Sequence, residues 1–139
     1  MLDPRVLFRL LFPRQHHIRI CLIGQDLAAA MGAKTCQVFL SKDTLMKQLD
    51  KHPDIRTRHY AWLPEIIRDG MVIQEHRRRD RLSICYEHPS DPGKRFRTVI
   101  KSTVNGAEVY VSSFHRTKPG QTRALLGRGR MLRAHKQLI

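Results

Sequence analysis

Beyond residue 70 the chain alternates. Leu82, Ile84 and Tyr86 take turns with Arg81, Ser83 and Cys85, the period-two signature of a strand with one face buried. Residues 71–75 read as another strand, residues 95–104 as a third and residues 108–114 as its return, joined through Asn105-Gly106, a strong hairpin signal. Pro89-Ser90-Asp91-Pro92-Gly93 is a loop. Before residue 70 the spacing is mostly helical. Ser41 is placed as an N-cap with Asp43 in the first turn, Leu45, Met46 and Leu49 give one apolar side, and Pro53 stops the helix near His52. Residues 57–68 form a second helical stretch divided by Pro64, with Tyr60, Leu63, Ile66 and Ile67 on its buried side. Nearer the N-terminus, residues 18–23 are a short β-branched-rich run and residues 26–31 an alanine-rich helix stopped by Gly32. The expected fold is α+β: N-terminal helices packed on one face of a roughly four-stranded antiparallel sheet, with the other face or the rim left open to a ligand.

Charge narrows the partners. The 139 residues carry 26 Lys plus Arg against 12 Asp plus Glu, a formal net charge of +14. Such an excess favours a polyanion, because each neutralised phosphate releases counterions. Acidic residues are absent after Glu108, where Arg116, Lys118, Arg123, Arg128, Arg130, Arg133 and Lys136 accumulate. That stretch is either a solvated tail or a phosphate-binding arm. Residues 1–12 read as a short amphipathic helix, with Val6, Leu7, Leu10 and Leu11 on one side, docked on this chain or on a partner. They lack the order of a signal peptide. No apolar stretch approaches the roughly 20 residues needed to span a bilayer. Three widely spaced cysteines, Cys21, Cys36 and Cys85, imply neither a disulfide framework nor a zinc finger. His16-His17 near Cys21 lacks a complete ligand set. No metal or other cofactor is expected.

Candidate chemistry gathers at the end of the last expected strand, Val109-Tyr110-Val111-Ser112-Ser113-Phe114-His115-Arg116. RNA can be cleaved by its own 2′-hydroxyl, given a base, an acid and cations around the phosphorane. Histidine suits the proton transfers, and lysine and arginine suit the electrostatic role. His52, at a helix end before Pro53, is the first candidate; capping its own helix is the alternative reading. If Val109 and Val111 face the helices, strict alternation puts Ser113 and His115 on that same face and Tyr110, Ser112 and Phe114 on the other. Ser113 is therefore preferred over Ser112. Lys101, on the preceding strand, and Arg116 are the candidate cations. Arg77, Arg78, Arg79 and Arg81, with Lys118, Arg128 and Arg130, form a candidate phosphate track, and Phe114 is a candidate for stacking on a base.

Several runs together resemble one family. They are Val38-Phe39-Leu40-Ser41 leading into Thr44-Leu45, Lys51-His52-Pro53, Tyr60 with Leu63-Pro64-Glu65-Ile66-Ile67, Gly70-Met71-Val72-Ile73, Val99-Ile100-Lys101 and the run 109–116. Their order and spacing are similar to those of the phage-encoded barnase–EndoU–colicin–RelE-like nucleases. The resemblance covers roughly residues 34–117. It implies a barnase/RelE-like arrangement of helices followed by a four-stranded antiparallel sheet, and metal-independent ribonuclease activity. It also implies a phage or prophage origin, acting in the host cytoplasm or carried in the virion. By position, the family's histidine falls on His52, its hydroxyl on Ser113 or Ser112, and its basic partners on Lys101 and Arg116. The chain then divides into an N-terminal extension or docking segment (1–33), a nuclease-like domain (34–117) and a basic tail (118–139). Expected partners are RNA, tRNA included, or another nucleic acid, with phage structural proteins contacted through residues 1–12. The alternative function is a non-catalytic nucleic-acid-binding or virion-docking protein on the same fold.

Overall fold

The computed structural model describes residues 16–135. The amphipathic helix expected over 1–12, and Lys136, lie outside the described residues. The alternating segments form β3 (Met71–Glu75), β4 (Arg81–Glu87), β5 (Arg95–Ser102) and β6 (Val109–Thr117), paired antiparallel in chain order. At the β5–β6 turn Gly106 has φ 74°, and a Cβ there would lie 2.4 Å from the Gly32 carbonyl oxygen, so glycine is required by conformation and by space.

The expected arrangement of N-terminal helices on four antiparallel strands is overturned. Seven strands make one mixed sheet among the described residues, in the order β1-β2-β6-β5-β4-β3-β7. The additional strands are β1 (His17–Leu22), β2 (Gln37–Ser41) and β7 (Gly129–Arg133). β1 pairs antiparallel with β2, and β2 runs parallel to β6. β7 extends the opposite edge on β3. A strand thus precedes the first described helix. The coarse class remains α+β. The physical reason is in the residues: Ile18 and Ile20, like Val38 and Leu40, are spaced two apart and are all buried, so these short runs bury best as strands.

Five short helices lie among the described residues: α1 (Gln25–Ala30), α2 (Lys42–Lys51), α3 (Thr57–Tyr60), α4 (Leu63–Asp69) and α5 (Pro119–Gly127). Ser41 caps α2 as its sequence suggests, its hydroxyl accepting from the Thr44 N–H at 3.1 Å. The main core lies on one face of the sheet. Leu45, Tyr60, Leu63, Ile66 and Ile67 from the helices pack there on Val38, Leu40, Leu82, Ile84, Phe96, Ile100, Val111 and Phe114. On the other face α5 covers a smaller cluster of Ile73, Cys85 and Leu125. The rest of that second face carries no helix among the described residues.

One irregularity decides where β6 aims its side chains. Val99 pairs with Ser113 but Ile100 pairs with Val111, leaving Ser112 as an extra residue in a β-bulge. Val111 and Phe114 are therefore both in the core, although strict alternation would separate them. Ser113 and His115 point to the helix-free face, not to the helices as expected. The β2 pairing ends at Tyr110, and beyond it the Phe114 N–H is accepted by the buried Gln48 side chain of α2, at 3.0 Å. Removing that acceptor strands a buried donor. Gln48→Leu is expected to lower unfolding free energy by about 1–3 kcal/mol, read as a shifted urea midpoint, whereas Met46→Ala on the exposed side of α2 shifts it little.

Candidate functional site: an arginine-lined cleft with a histidine pair

The Gln48–Phe114 hydrogen bond joins α2 to β6, and the next residues along each element meet above it. His52, one helical turn past Gln48, ends α2, its N–H donating to the Gln48 carbonyl at 2.8 Å. His115, next to Phe114, turns outward. Their rings stack with centroids 5.3 Å apart and an 18° interplanar angle. The two histidines singled out in the sequence are thus neighbours, although 63 positions separate them.

Across the register from His115 stands Arg97 on β5. Its guanidinium is half-buried, donates to the Ser83 hydroxyl at 2.9 Å, and leaves Nε buried without a hydrogen-bond partner. Burial holds its pKa below the ordinary arginine value. The same surroundings act on His115. Burial first, then the positive charge of Arg97, then His52, lower its pKa to about 4. Nδ1 of His115 is also buried without a partner. At neutral pH His115 is therefore an uncharged imidazole beside a fixed cation.

These groups form one wall of an open cleft of about 890 Å³, lined by Ile73, Glu75, His76, Arg77, Arg78, Arg81, Ser83, Arg97, Val99, Ser112, Ser113, His115 and Arg128. Glu75 is the cleft's acidic residue. It binds Arg128 at 2.5 Å and stands 3.8 Å from Arg78. An adjoining recess of about 300 Å³ is lined by Gln74, Glu75, His76, Arg79 and Arg130. Together they can hold a chain of anionic groups, with cations on several sides of a phosphate and a neutral imidazole among them.

Of the residues expected in the site, His115, Ser113, Ser112, Arg77, Arg78, Arg81 and Arg128 line the cleft, and Arg79 and Arg130 line the recess. His52 reaches it only through its stack with His115. Four expectations are corrected. Phe114 is fully buried against Tyr60, ring centroids 5.1 Å apart, and offers no surface to a base. Arg116 turns to the helix side, with Nε 3.6 Å from Asp54, Nη2 4.0 Å from Asp91 and the guanidinium 5.7 Å from the Phe96 ring centre. The bulge causes both, by setting Phe114 inward and Arg116 two residues further along the same face. Lys101 is outside the cleft wall, its ammonium 4.0 Å from Asp80. Lys118 is exposed at the start of α5, away from the cleft lining. Arg97, Ser83 and His76 were not anticipated. Arg97 had a signal: an arginine within Phe96–Ile100, a run otherwise buried, is a cation forced onto a central strand.

Among the described residues no group of three or more His, Cys, Asp or Glu is placed to hold a metal ion, and no helix is long and apolar enough to cross a membrane. No protein-family model matches the chain, and neither a curated protein nor a solved structure matches it.

The electrostatics of the pair can be read directly. By NMR titration His115 is expected to lose its proton near pH 4. Arg97→Gln removes a repelling charge, which favours imidazolium, so the His115 pKa rises in that variant. The sign for stability follows. The folded pKa lies below the ordinary 6.5, so the unfolded chain binds the proton more readily, and this group's contribution to stability is lost as pH falls from about 6.5 towards 4.

Proposed function

We propose that the protein is an endoribonuclease that cleaves by attack of RNA's own 2′-hydroxyl and needs no metal. One observation carries the reading: His115 stands beside Arg97 on the wall of an arginine-lined cleft, with the ring of His52 stacked on it. In this scheme neutral His115 accepts the 2′-hydroxyl proton as that oxygen bonds to phosphorus. Arg97, with Arg81 from the same cleft lining, stabilises the charge gathered on the phosphorane. Ser113 hydrogen-bonds a non-bridging oxygen. The bond to the 5′-oxygen then breaks and His52 donates the proton that oxygen takes up. The products are a 2′,3′-cyclic phosphate and a free 5′-hydroxyl. A bound phosphodiester offsets the Arg97 charge, and so raises the basicity of His115 when it is needed. On this reading the protein acts in a host cytoplasm or from a phage particle, as the family resemblance implies.

A second reading is favoured by the position of His52 behind His115 and off the cleft wall. It is a nucleic-acid-binding or virion-docking module that uses the same arginines without cleavage. Cleavage of RNA in EDTA separates the two. The nuclease reading expects a cyclic-phosphate product, and loss of about 10²-fold or more in turnover for His115→Ala and for His52→Ala with RNA affinity retained. Full cleavage by both variants would end it. Binding with steep salt dependence and no cleavage would establish the module instead. The acid limb of the kcat/KM profile provides a further check. With His115 as base it lies near pH 4, the value of the free imidazole, and it moves upward in Arg97→Gln.

A further inference from the structure

A straight row of five side chains crosses the helix-free face of the sheet and ends in the cleft. Arg19 on β1 pairs with Phe39 on β2. Phe39 pairs with Tyr110 on β6, Tyr110 with Lys101 on β5, and Lys101 with Arg81 on β4. Each is flanked along its strand by buried residues: Ile18 and Ile20, Val38 and Leu40, Val109 and Val111, Ile100 and Ser102, and Leu82. All five therefore point away from the main core. The Phe39 and Tyr110 rings lie 6.1 Å apart at 45°, and His17 meets the Phe39 ring edge-on at 5.4 Å. Arg81, at the far end, lines the cleft. At about 4.8 Å between strands the row spans about 19 Å, longer than one nucleotide.

From this row we infer that the protein binds single-stranded RNA across the sheet, with Phe39 and Tyr110 as a stacking platform for bases beside the scissile nucleotide. The inference rests on the reading that the cleft holds an RNA phosphodiester. Charge complementarity identifies the occupant. Two half-buried aromatic rings sit between cations on both sides, Arg19 on one and Lys101 with Arg81 on the other; the row's carboxylates are Glu108, which accepts from the Tyr110 hydroxyl, and Asp80, beside Lys101 and Arg81. A single strand that lays bases on the rings and phosphates against the cations on either side matches that sequence of surfaces. A duplex does not, since its bases are already stacked on one another. The same row gives Lys101 a role outside the cleft, as a phosphate contact between platform and cleft.

The test uses the full chain and a 2′-O-methyl oligouridylate, which lacks the hydroxyl needed for cleavage. With an oligomer of about ten nucleotides, Phe39→Leu and Tyr110→Leu are each expected to weaken binding about ten-fold without changing its salt slope. Lys101→Gln is expected to lower the slope by about one phosphate contact. With a dinucleotide, which the cleft alone accommodates, the aromatic variants are expected to bind like the unaltered protein. In the unaltered protein, photocrosslinks from a 4-thiouridine oligomer are expected at Phe39 and Tyr110. Equal losses with both ligand lengths, or crosslinks confined to the cleft, overturn the platform. So does unchanged affinity with lowered thermal stability in the aromatic variants, the result expected if the row serves cross-strand packing alone. Failure of the wild type to cleave ordinary RNA would remove the nuclease reading, while length-dependent losses would still support the platform.

Discussion

A single side chain, Gln48, joins the two halves of the candidate site. β6 leaves β2 after Tyr110 and would expose the buried Phe114 N–H, yet a buried amide hydrogen must find an acceptor. Gln48 supplies it at 3.0 Å. That bond fixes α2 in rotation and height against β6. His52 comes four residues after Gln48 on one element, and His115 one residue after Phe114 on the other. Their stacking is thus a consequence of satisfying a backbone donor in the core. The Ser112 bulge is the second half of the constraint. Without it His115 and Phe114 would exchange faces, and the polar end of β6 would be driven into Tyr60 and Phe96.

Positive charge then shapes what the pair can do. Arg97 lies on a central strand where its neighbours allow it one visible hydrogen bond, to Ser83. It is held there at a cost, because a half-buried guanidinium without a carboxylate is poorly solvated. Three of the other cleft arginines have acidic neighbours: Arg128 and Arg78 have Glu75, and Arg81 has Asp80. The pairing of Arg116 with Asp54 and Asp91 follows the same pattern on the other side of the strand. Arg97 has no such neighbour among the described residues, and it faces the histidine whose proton affinity it lowers. An anion entering the cleft would satisfy both at once. Arg128, Arg78 and Arg81 gain less from such a ligand, since each already has a partner to exchange.

The sequence made the local elements legible more readily than their assembly. The hairpin at Asn105-Gly106, the cap at Ser41 and the stop at His52 all come from local chemistry, and all are present. Long-range pairing was not legible. The β2–β6 contact is parallel and joins residues about seventy positions apart, and no turn residue announces such a pairing. Pairing of β1 and β7 onto the two edges was hidden in the same way. Within the candidate site, the arginine run and His52 could be singled out by residue type. The orientation of Ser113, Phe114 and Arg116 could not, because a bulge resets alternation without leaving a compositional mark. Its cause is non-local: Phe114 is drawn into a pocket made by Tyr60 and Phe96.

That resetting also explains why the helix-free face is chemically mixed. Before the bulge β6 offers Tyr110 outward, and after it Ser113 and His115. With unbroken alternation Tyr110, Ser112 and Phe114 would share one face, and aromatic rings would stand where the hydroxyl and imidazole now meet Arg97. One inserted residue thus separates an aromatic zone towards β2 from a polar, cationic zone towards β5 and β4. The two zones remain adjacent because they occupy one strand. A ligand crossing the strands meets rings first and cations next, and this order is set by hydrogen-bond register in a packed sheet, with no contribution from a flexible loop.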